Sequence, residues 1–317
     1  GGNHEGNFHY AKKLVKLAIS TGVDVVKLQI YEGESLVSSV ESKKRFKHFK
    51  KFELTKKEHI EIAELCKKAN VQYLASVWNP KSLNWIDKYL SFYKIGSGDL
   101  TAYPVIKEIC KKKKPIILST GLSSLKEIKK TISFIRQENY FYKNKKNLSL
   151  LQCTASYPTP DNEVNLKVIE ILRKETKLSI GYSHHNTGDI ALISAYLLGA
   201  EILEFHFTDT RKDKVFRDHK ISLTHKETKT LIEKIKRINI LKGKNIKTPT
   251  KSEIKSKNIK TFRRAIYLNK NIKKGQTINK NDIVCLSPNS GIDARDFMKI
   301  IGKKAKKNFL AYKKIFI

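Results

Sequence analysis

The run Pro115-Ile116-Ile117-Leu118-Ser119-Thr120-Gly121, with Ser124-Leu125-Lys126-Glu127 close behind it, decides the fold class. Ile116, Ile117 and Leu118 are apolar at every position, as in a parallel strand buried on both faces. The run ends in a polar Ser-Thr-Gly turn. Ser124 and Glu127 then form the Ser-x-x-Glu capping box that starts a helix, and Leu125, Ile128, Ile132 and Ile135 share one face of it. Buried strand, polar turn and amphipathic helix together make one β/α unit.

The same unit recurs in both directions. Strand-like apolar runs cover 23–30, 71–76, 92–97, 115–120, 148–153, 178–183 and 202–207. Between them, Ala11, Leu14, Val15 and Ala18 fall on one helical face, and Thr55 with Glu58 and Thr224 with Glu227 supply two further capping boxes. Strands alternating with helices at this spacing predict a parallel sheet. A (β/α)₈ TIM barrel needs eight strands and the runs number seven. The first helical stretch has no strand before it, so the expectation is a barrel whose first strand lies upstream of Gly1; an open seven-stranded sheet is the alternative. After Leu241 the pattern changes. Residues 1–245 are read as the barrel domain, 246–260 as a polar linker, and 261–317 as a small loop-rich domain of short strands, which needs support from the barrel or from a second subunit.

Composition narrows the function. The 317 residues carry a formal charge of +34, which invites a nucleic-acid reading. Arg, the residue of phosphate forks and base edges, supplies only nine of the 64 cations, and the lysines are spread along the chain and form no single stripe. Nucleic acid is therefore not expected as a partner, whereas an anionic substrate would benefit from the positive field. No apolar run is long enough to cross a membrane, and the start of the chain lacks a signal-peptide pattern. Cys66, Cys110, Cys153 and Cys285 lie far apart, which fits reduced thiols and a cytoplasmic location.

Active sites of parallel barrels form at the C-terminal strand ends, and the polar residues collect there. Lys27 and Gln29 end the first run, and Lys94 with Gly96-Ser97-Gly98-Asp99 ends the third. Ser119-Thr120-Gly121, Thr154 with Tyr157, Ser183 with His185, and His206 end the others. Lysines and hydroxyls of this kind suit a phosphate or a phosphate-plus-carboxylate ligand. His185 and His206 end adjacent strands and could share a divalent ion, Mn²⁺ or a similar one such as Mg²⁺ or Co²⁺. A one-residue shift would put His184 in the place of His185.

Eight segments, in order, resemble the sialic acid synthase family: Asn3-His4-Glu5-Gly6, Val26-Lys27-Leu28-Gln29, Tyr93-Lys94-Ile95-Gly96-Ser97-Gly98-Asp99, Ile116-Ile117-Leu118-Ser119-Thr120-Gly121, Gln152-Cys153-Thr154, Tyr157-Pro158, Gly181-Tyr182-Ser183 and Leu203-Glu204-Phe205-His206-Phe207-Thr208. The tail, with Ile272-Lys273-Lys274-Gly275 and Asp282, resembles that family's antifreeze-like (SAF) domain. The resemblance implies an enzyme that condenses phosphoenolpyruvate with N-acetylmannosamine or a related N-acylated amino sugar. It implies that Lys27, Lys94, Ser97, Ser119 and Ser183 hold phosphoenolpyruvate, that His185 and His206 hold the metal, and that Gln29, Tyr157 and Asp218 face the sugar. Asp99 stands where the family usually has Glu, as an acid or acceptor. The resemblance also implies a homodimer in which each tail covers the partner's barrel mouth. Departures fall at Ser76-Val77-Trp78-Asn79, Ala155, His184, Phe205 and Ser287. Another phosphoenolpyruvate–aldose barrel and a decayed polyanion-binding module are the competing readings.

Overall fold

The chain parts into two compact units, Gly1–Lys242 and Gly243–Ile317, and the computed structural model describes residues 2–316. In the first unit seven parallel strands lie side by side in chain order. They are β1 (Val25–Ile30), β2 (Gln72–Val77), β3 (Tyr93–Ile95), β4 (Ile116–Ser119), β5 (Leu148–Cys153), β6 (Ser179–Ser183) and β7 (Leu203–Glu204). The helices α1 (Phe8–Ile19), α2 (Lys43–Phe52), α3 (Lys56–Lys68), α4 (Tyr103–Cys110), α5 (Leu125–Glu138), α6 (Val168–Thr176), α7 (Ile190–Leu197) and α8 (His225–Lys242) lie between and around them. The capping boxes at Thr55 and Ser124 are both formed. On α1, Ala11, Leu14, Val15 and Ala18 are the buried residues, as the periodicity requires.

The sheet curls as a barrel does. Lys27 Nζ on β1 comes to 3.7 Å from Glu204 Oε1 on β7, although no ladder joins those strands among the described residues. The predicted strand 202–207 is shorter than expected, Leu203–Glu204. Beyond Glu204 its only ladder contact is a single bridge, Phe207 to Leu223. The helix-facing side of the sheet is closed, with Leu148, Leu150 and Ile180 fully buried in one core with Ile135, Ile169 and Leu172 of the helices. On β1, by contrast, Lys27 and Gln29 are half-buried while Val26, Leu28 and Ile30 are buried, so one face carries polar side chains into the curl.

Two glycines are required by close approach. Gly6, at φ +79°, would place a Cβ 2.1 Å from Lys51 O, and its turn is tied down by Asn3 Nδ2 donating to Phe207 O (2.7 Å) and Ser222 Oγ (2.8 Å). On β6 a Cβ at Gly181 would meet Ile202 O at 2.4 Å and Leu151 Cδ2 at 2.5 Å. Gly181→Ala is therefore expected to lower stability by about 1–3 kcal/mol, the usual cost of overpacking a filled core. Chemical denaturation should show a lower midpoint at unchanged slope.

The second unit is a three-stranded antiparallel sheet, β8 (Ala265–Leu268), β9 (Ile283–Leu286) and β10 (Ile292–Asp293), in the order β10-β8-β9. Its small core gathers Ile266, Leu268, Ile272, Ile278, Ile300, Ala305 and Ile315. Residues 246–260, read as a linker, hold the helix Lys251–Lys255 and the start of Asn258–Phe262. The first of these starts at a capping box of Thr250 and Glu253. Both helices are so polar that periodicity could not reveal them. The four cysteines are unpaired, and Cys66, Cys110 and Cys153 are buried. Among the described residues no helix is long and apolar enough to cross a membrane.

Candidate active site

Parallel register partners share a face, and the register assembles the site. Gln29 pairs with Ser76 and Ser76 with Lys94; Cys153 pairs with Ser183 and Ser183 with Glu204. Both rows stand at C-terminal strand ends. Lys94, only 3% exposed, donates to Ser119 Oγ at 2.7 Å and to Ile95 O at 3.0 Å. Glu204 Oε1 accepts from Ser183 Oγ at 3.0 Å and lies 3.7 Å from Lys27 Nζ and 3.9 Å from Lys94 Nζ. Ser97 Oγ accepts the Gly121 N–H at 3.0 Å and lies 3.6 Å from Cys153 Sγ. The structure thus brings Lys27, Lys94, Ser119 and Ser183 into one cluster, with Ser97 reaching it through Cys153.

Glu204 is the residue that motif reading passed over. It precedes His206 by two positions and so shares its phase along the strand, which is the signal that could have found it. Burial pushes its carboxyl up, but the Lys27 and Lys94 ammoniums and the Ser183 hydroxyl outweigh burial and hold it down at about 2. Lys94 is pushed down to about 8 by burial, against the pull of Glu204 and with the help of Lys27. The Glu204 carboxylate is thus shared between the Lys27 and Lys94 ammoniums, which concentrates positive charge at this strand end where an anion could be met.

Glu204→Gln should remove the anion that holds the proton on Lys94. If Lys94 meets an anion in its protonated form, the alkaline limb of kcat/KM is then expected to move from about 8 to lower pH, because the ammonium loses its proton sooner. A pH–rate profile of both proteins checks this.

The opposite side of the cluster carries the histidines. His185 Nδ1 lies 2.8 Å from Thr154 O. A carbonyl can only accept, so Nδ1 carries the proton and Nε2 offers its lone pair. The ring packs against Tyr157 at 4.2 Å between centroids and faces His206 at 5.5 Å. His184 turns instead to Tyr182, with ring centroids 5.8 Å apart, so His185 is the member of the pair that faces His206. His206 Nδ1 lies 3.6 Å from Asp218 Oδ2, and Asp218 Oδ1 accepts from Arg217 Nε at 3.1 Å. The Arg217 guanidinium covers the Tyr157 ring at 4.4 Å. Tyr157 and Asp218 therefore belong to the histidine side.

Burial lowers both imidazoles' affinity for protons, His206 most strongly, with neighbouring cations adding to the effect for both. Two neutral imidazoles fit a divalent ion as a partial donor set. Among the described residues no three His, Cys, Asp or Glu side chains are arranged around one point. Asp99 stands on the lysine side, its carboxyl pushed up to about 6 by burial against the opposing pull of Lys94 and the Trp78 indole. Gln29 stays half-buried beside Ser76 on the face that Lys27 shares.

The chain has known relatives. The N,N'-diacetyllegionaminic acid synthase of Campylobacter jejuni is 35% identical over 322 aligned residues, which cover 98% of this chain and 95% of that protein. The synthase of the same name from Legionella pneumophila is 30% identical, covering 98% of this chain and 90% of its own. Among solved structures, the N-acetylneuraminic acid synthetase of Leptospira borgpetersenii, in complex with citrate, superposes with a TM-score of 0.72 at 28% identity, over 81% of this chain and 87% of that one. Residues 263–311 match the SAF domain, in agreement with the small antiparallel unit. With residues 14–247 matching the NeuB family across the whole curled sheet and both sides of its mouth, the chain belongs to that family.

Proposed function

We propose that the protein is a nonulosonic acid synthase. It joins C3 of phosphoenolpyruvate to the aldehyde carbon of an open-chain N-acylated amino sugar, N-acetylmannosamine or a related 2-acetamido or diacetamido hexose. Water adds at C2 of the enol and inorganic phosphate leaves, so the products are a 3-deoxy-2-keto acid and phosphate. The observation that carries this reading is the buried Lys94, hydrogen-bonded to Ser119 and within reach of Glu204, which Lys27 also approaches.

The chain's own groups divide the work. Lys27 and Lys94 neutralise the phosphate and carboxylate of phosphoenolpyruvate, and the Ser97, Ser119 and Ser183 hydroxyls fix their orientation. Glu204 keeps Lys94 protonated. Asp99, with a carboxyl that titrates at about 6, can hold or release a proton near neutrality. His185 and His206 would hold a divalent ion, with Mn²⁺ the first choice and Mg²⁺ or Co²⁺ the others. When bound, such an ion supplies Lewis-acid polarisation of the sugar aldehyde. Tyr157, Asp218 and Gln29 line the space for the sugar. A cytoplasmic homodimer completes the proposal, and sedimentation of the full chain should show twice the protomer mass.

The test is inorganic phosphate release from phosphoenolpyruvate with Mn²⁺ across a panel of amino sugars. Release that requires an N-acylated sugar supports the synthase. Release at the same rate without sugar, or only with a non-acylated aldose phosphate, rejects it.

A further inference from the structure

The outer ring of helices carries a cavity that the mouth does not use. It lies between α5 and α6 and has a volume of about 500 Å³, within the range of small-molecule sites. α5 buries Ile128, Thr131, Ile132 and Ile135. The neighbouring stripe of the same helix, Lys129, Ser133, Arg136 and Gln137, lines the cavity together with Ile132. The end of α6 supplies Glu175, and the short turn Tyr140–Lys143 supplies Tyr140 and Lys143. That turn is firmly held. Tyr142 is fully buried and donates its hydroxyl to Lys114 O at 2.9 Å, and Asn139 Nδ2 donates to Cys110 O at 3.1 Å. Lys114 stands just ahead of β4, so the cavity lies towards the N-terminal strand ends, away from the mouth.

The charges around the cavity are unevenly matched. Its carboxylate, Glu175, is taken by Lys129 at 2.6 Å. Arg136 has no hydrogen bond or ion pair among the described residues, and its Nε is buried without a partner. Arg173 of the next helix, by contrast, is engaged by the Leu198 and Gly199 carbonyls at 3.3 and 2.6 Å. Unpaired lysines are common on so basic a chain. A guanidinium with a buried, unmet N–H is not, because that donor has lost water and gained nothing in its place. Lys143 also lacks a carboxylate and rests over the Tyr140 ring at 4.7 Å, and Tyr140 is 78% exposed. Ser133 Oγ accepts a long contact from Gln137 Nε2 (3.5 Å), and its own proton is uncommitted. Both helices end beside the cavity, so cationic side chains, not helix N–H groups, would have to hold an anion there.

We propose that this cavity binds a nucleoside phosphate. The planar Arg136 guanidinium meets phosphate oxygens in pairs, with Lys143 and the Ser133 hydroxyl adding a charge and a donor. The exposed Tyr140 ring gives the base a face on which to stack. A bare phosphate leaves that ring and most of the cavity unused, and an uncharged ring leaves Arg136 unmet. The inference is independent of the synthase reading, because the occupant sits apart from the lysine cluster and the histidine pair.

The test is isothermal titration calorimetry on the full chain with AMP, GMP, CMP and UMP, their nucleosides, ribose 5-phosphate and inorganic phosphate. At least one nucleotide is expected to bind about tenfold or more tightly than its nucleoside and than ribose 5-phosphate. Arg136→Gln should weaken that nucleotide at least about tenfold, and Arg136→Lys should weaken it less. Tyr140→Ala removes an exposed ring, leaves folding intact, and should cost about tenfold through lost stacking. Lys94→Met, which alters the mouth, should leave nucleotide binding unchanged. In methyl NMR the nucleotide should shift the Ile132 δ1 signal, assigned through Ile132→Val, in the native protein and not in Arg136→Gln. Binding that survives Arg136→Gln, disappears in Lys94→Met or moves no Ile132 signal places the ligand elsewhere and overturns the proposal. Inorganic phosphate or ribose 5-phosphate binding as tightly as every nucleotide overturns the nucleoside assignment. No binding of any nucleotide at millimolar concentration overturns the site.

Discussion

Lys94→Met is expected to lower kcat/KM for phosphoenolpyruvate by about 10²–10³-fold, the range seen when one preorganised charge-stabilising group is deleted from a dry site. Three features of Lys94 lead to this expectation. Its ammonium is buried, so each interaction with a bound anion is screened little by water. It is held in place by Ser119 and Ile95, so no reorganisation is needed when phosphate binds. Its loss also removes one of the two ammoniums that approach Glu204, leaving that carboxylate with Lys27. Met fills the aliphatic volume, so a fall in activity without a fall in unfolding midpoint separates the lost charge from lost packing. In the native protein, activity should decline on the alkaline side as Lys94 deprotonates near 8 and on the acid side as Asp99 protonates near 6. Loss of the alkaline limb in Lys94→Met, measured over about pH 5 to 9 (about one unit beyond each limb), would assign it.

Removal of divalent metal is expected to have an effect of similar size. Dialysis against a chelator should reduce turnover at least about 10³-fold, since Lewis-acid polarisation is worth several kcal/mol of barrier. Mn²⁺ should restore it, and Mg²⁺ or Co²⁺ should restore it in part. His206→Ala should need far more Mn²⁺ for half-activity, because only the His185 Nε2 lone pair would remain. His184→Ala should not, because His184 turns to Tyr182 and stays off the shared space. Direct Mn²⁺ binding, followed by electron paramagnetic resonance of the free ion, reads the same difference without turnover. Full activity in excess chelator would remove the ion from the account.

Much of this was legible in the sequence because parallel strands leave a strong mark. Ile116-Ile117-Leu118 reads as strand because it is apolar on both faces, and the structure buries Ile116 and Leu118 almost completely. Polar residues at the C-terminal ends of such strands stand out against the apolar runs, as Lys27, Lys94, Ser119, Ser183 and His206 do, and the structure brings the lysines and serines among them together. Other features depend on geometry that a pattern does not carry. Which of His184 and His185 faces His206 turns on a single residue of phase, and the β6–β7 register sets His185 toward it. Glu204 passes for a strand residue until the curl brings Lys27 to it from the other end of the sheet. Trp78 reads as a local departure from a motif, and only the pairing of β1 with β2 past the strand ends sets its ring against Tyr31. The helices at 251–255 and 258–262 were hidden because they bury nothing that periodicity can register.

The central claim is that a carbon–carbon bond forms between phosphoenolpyruvate and an N-acylated sugar in this mouth. The most direct measurement is ¹³C NMR of a reaction containing phosphoenolpyruvate labelled at C3, a doubly acylated hexose and Mn²⁺. The account predicts that the labelled carbon appears as a methylene bonded to a former aldehyde carbon, with one phosphate released per product. Label found only in pyruvate or in unchanged phosphoenolpyruvate, with folded protein and metal present, would contradict it.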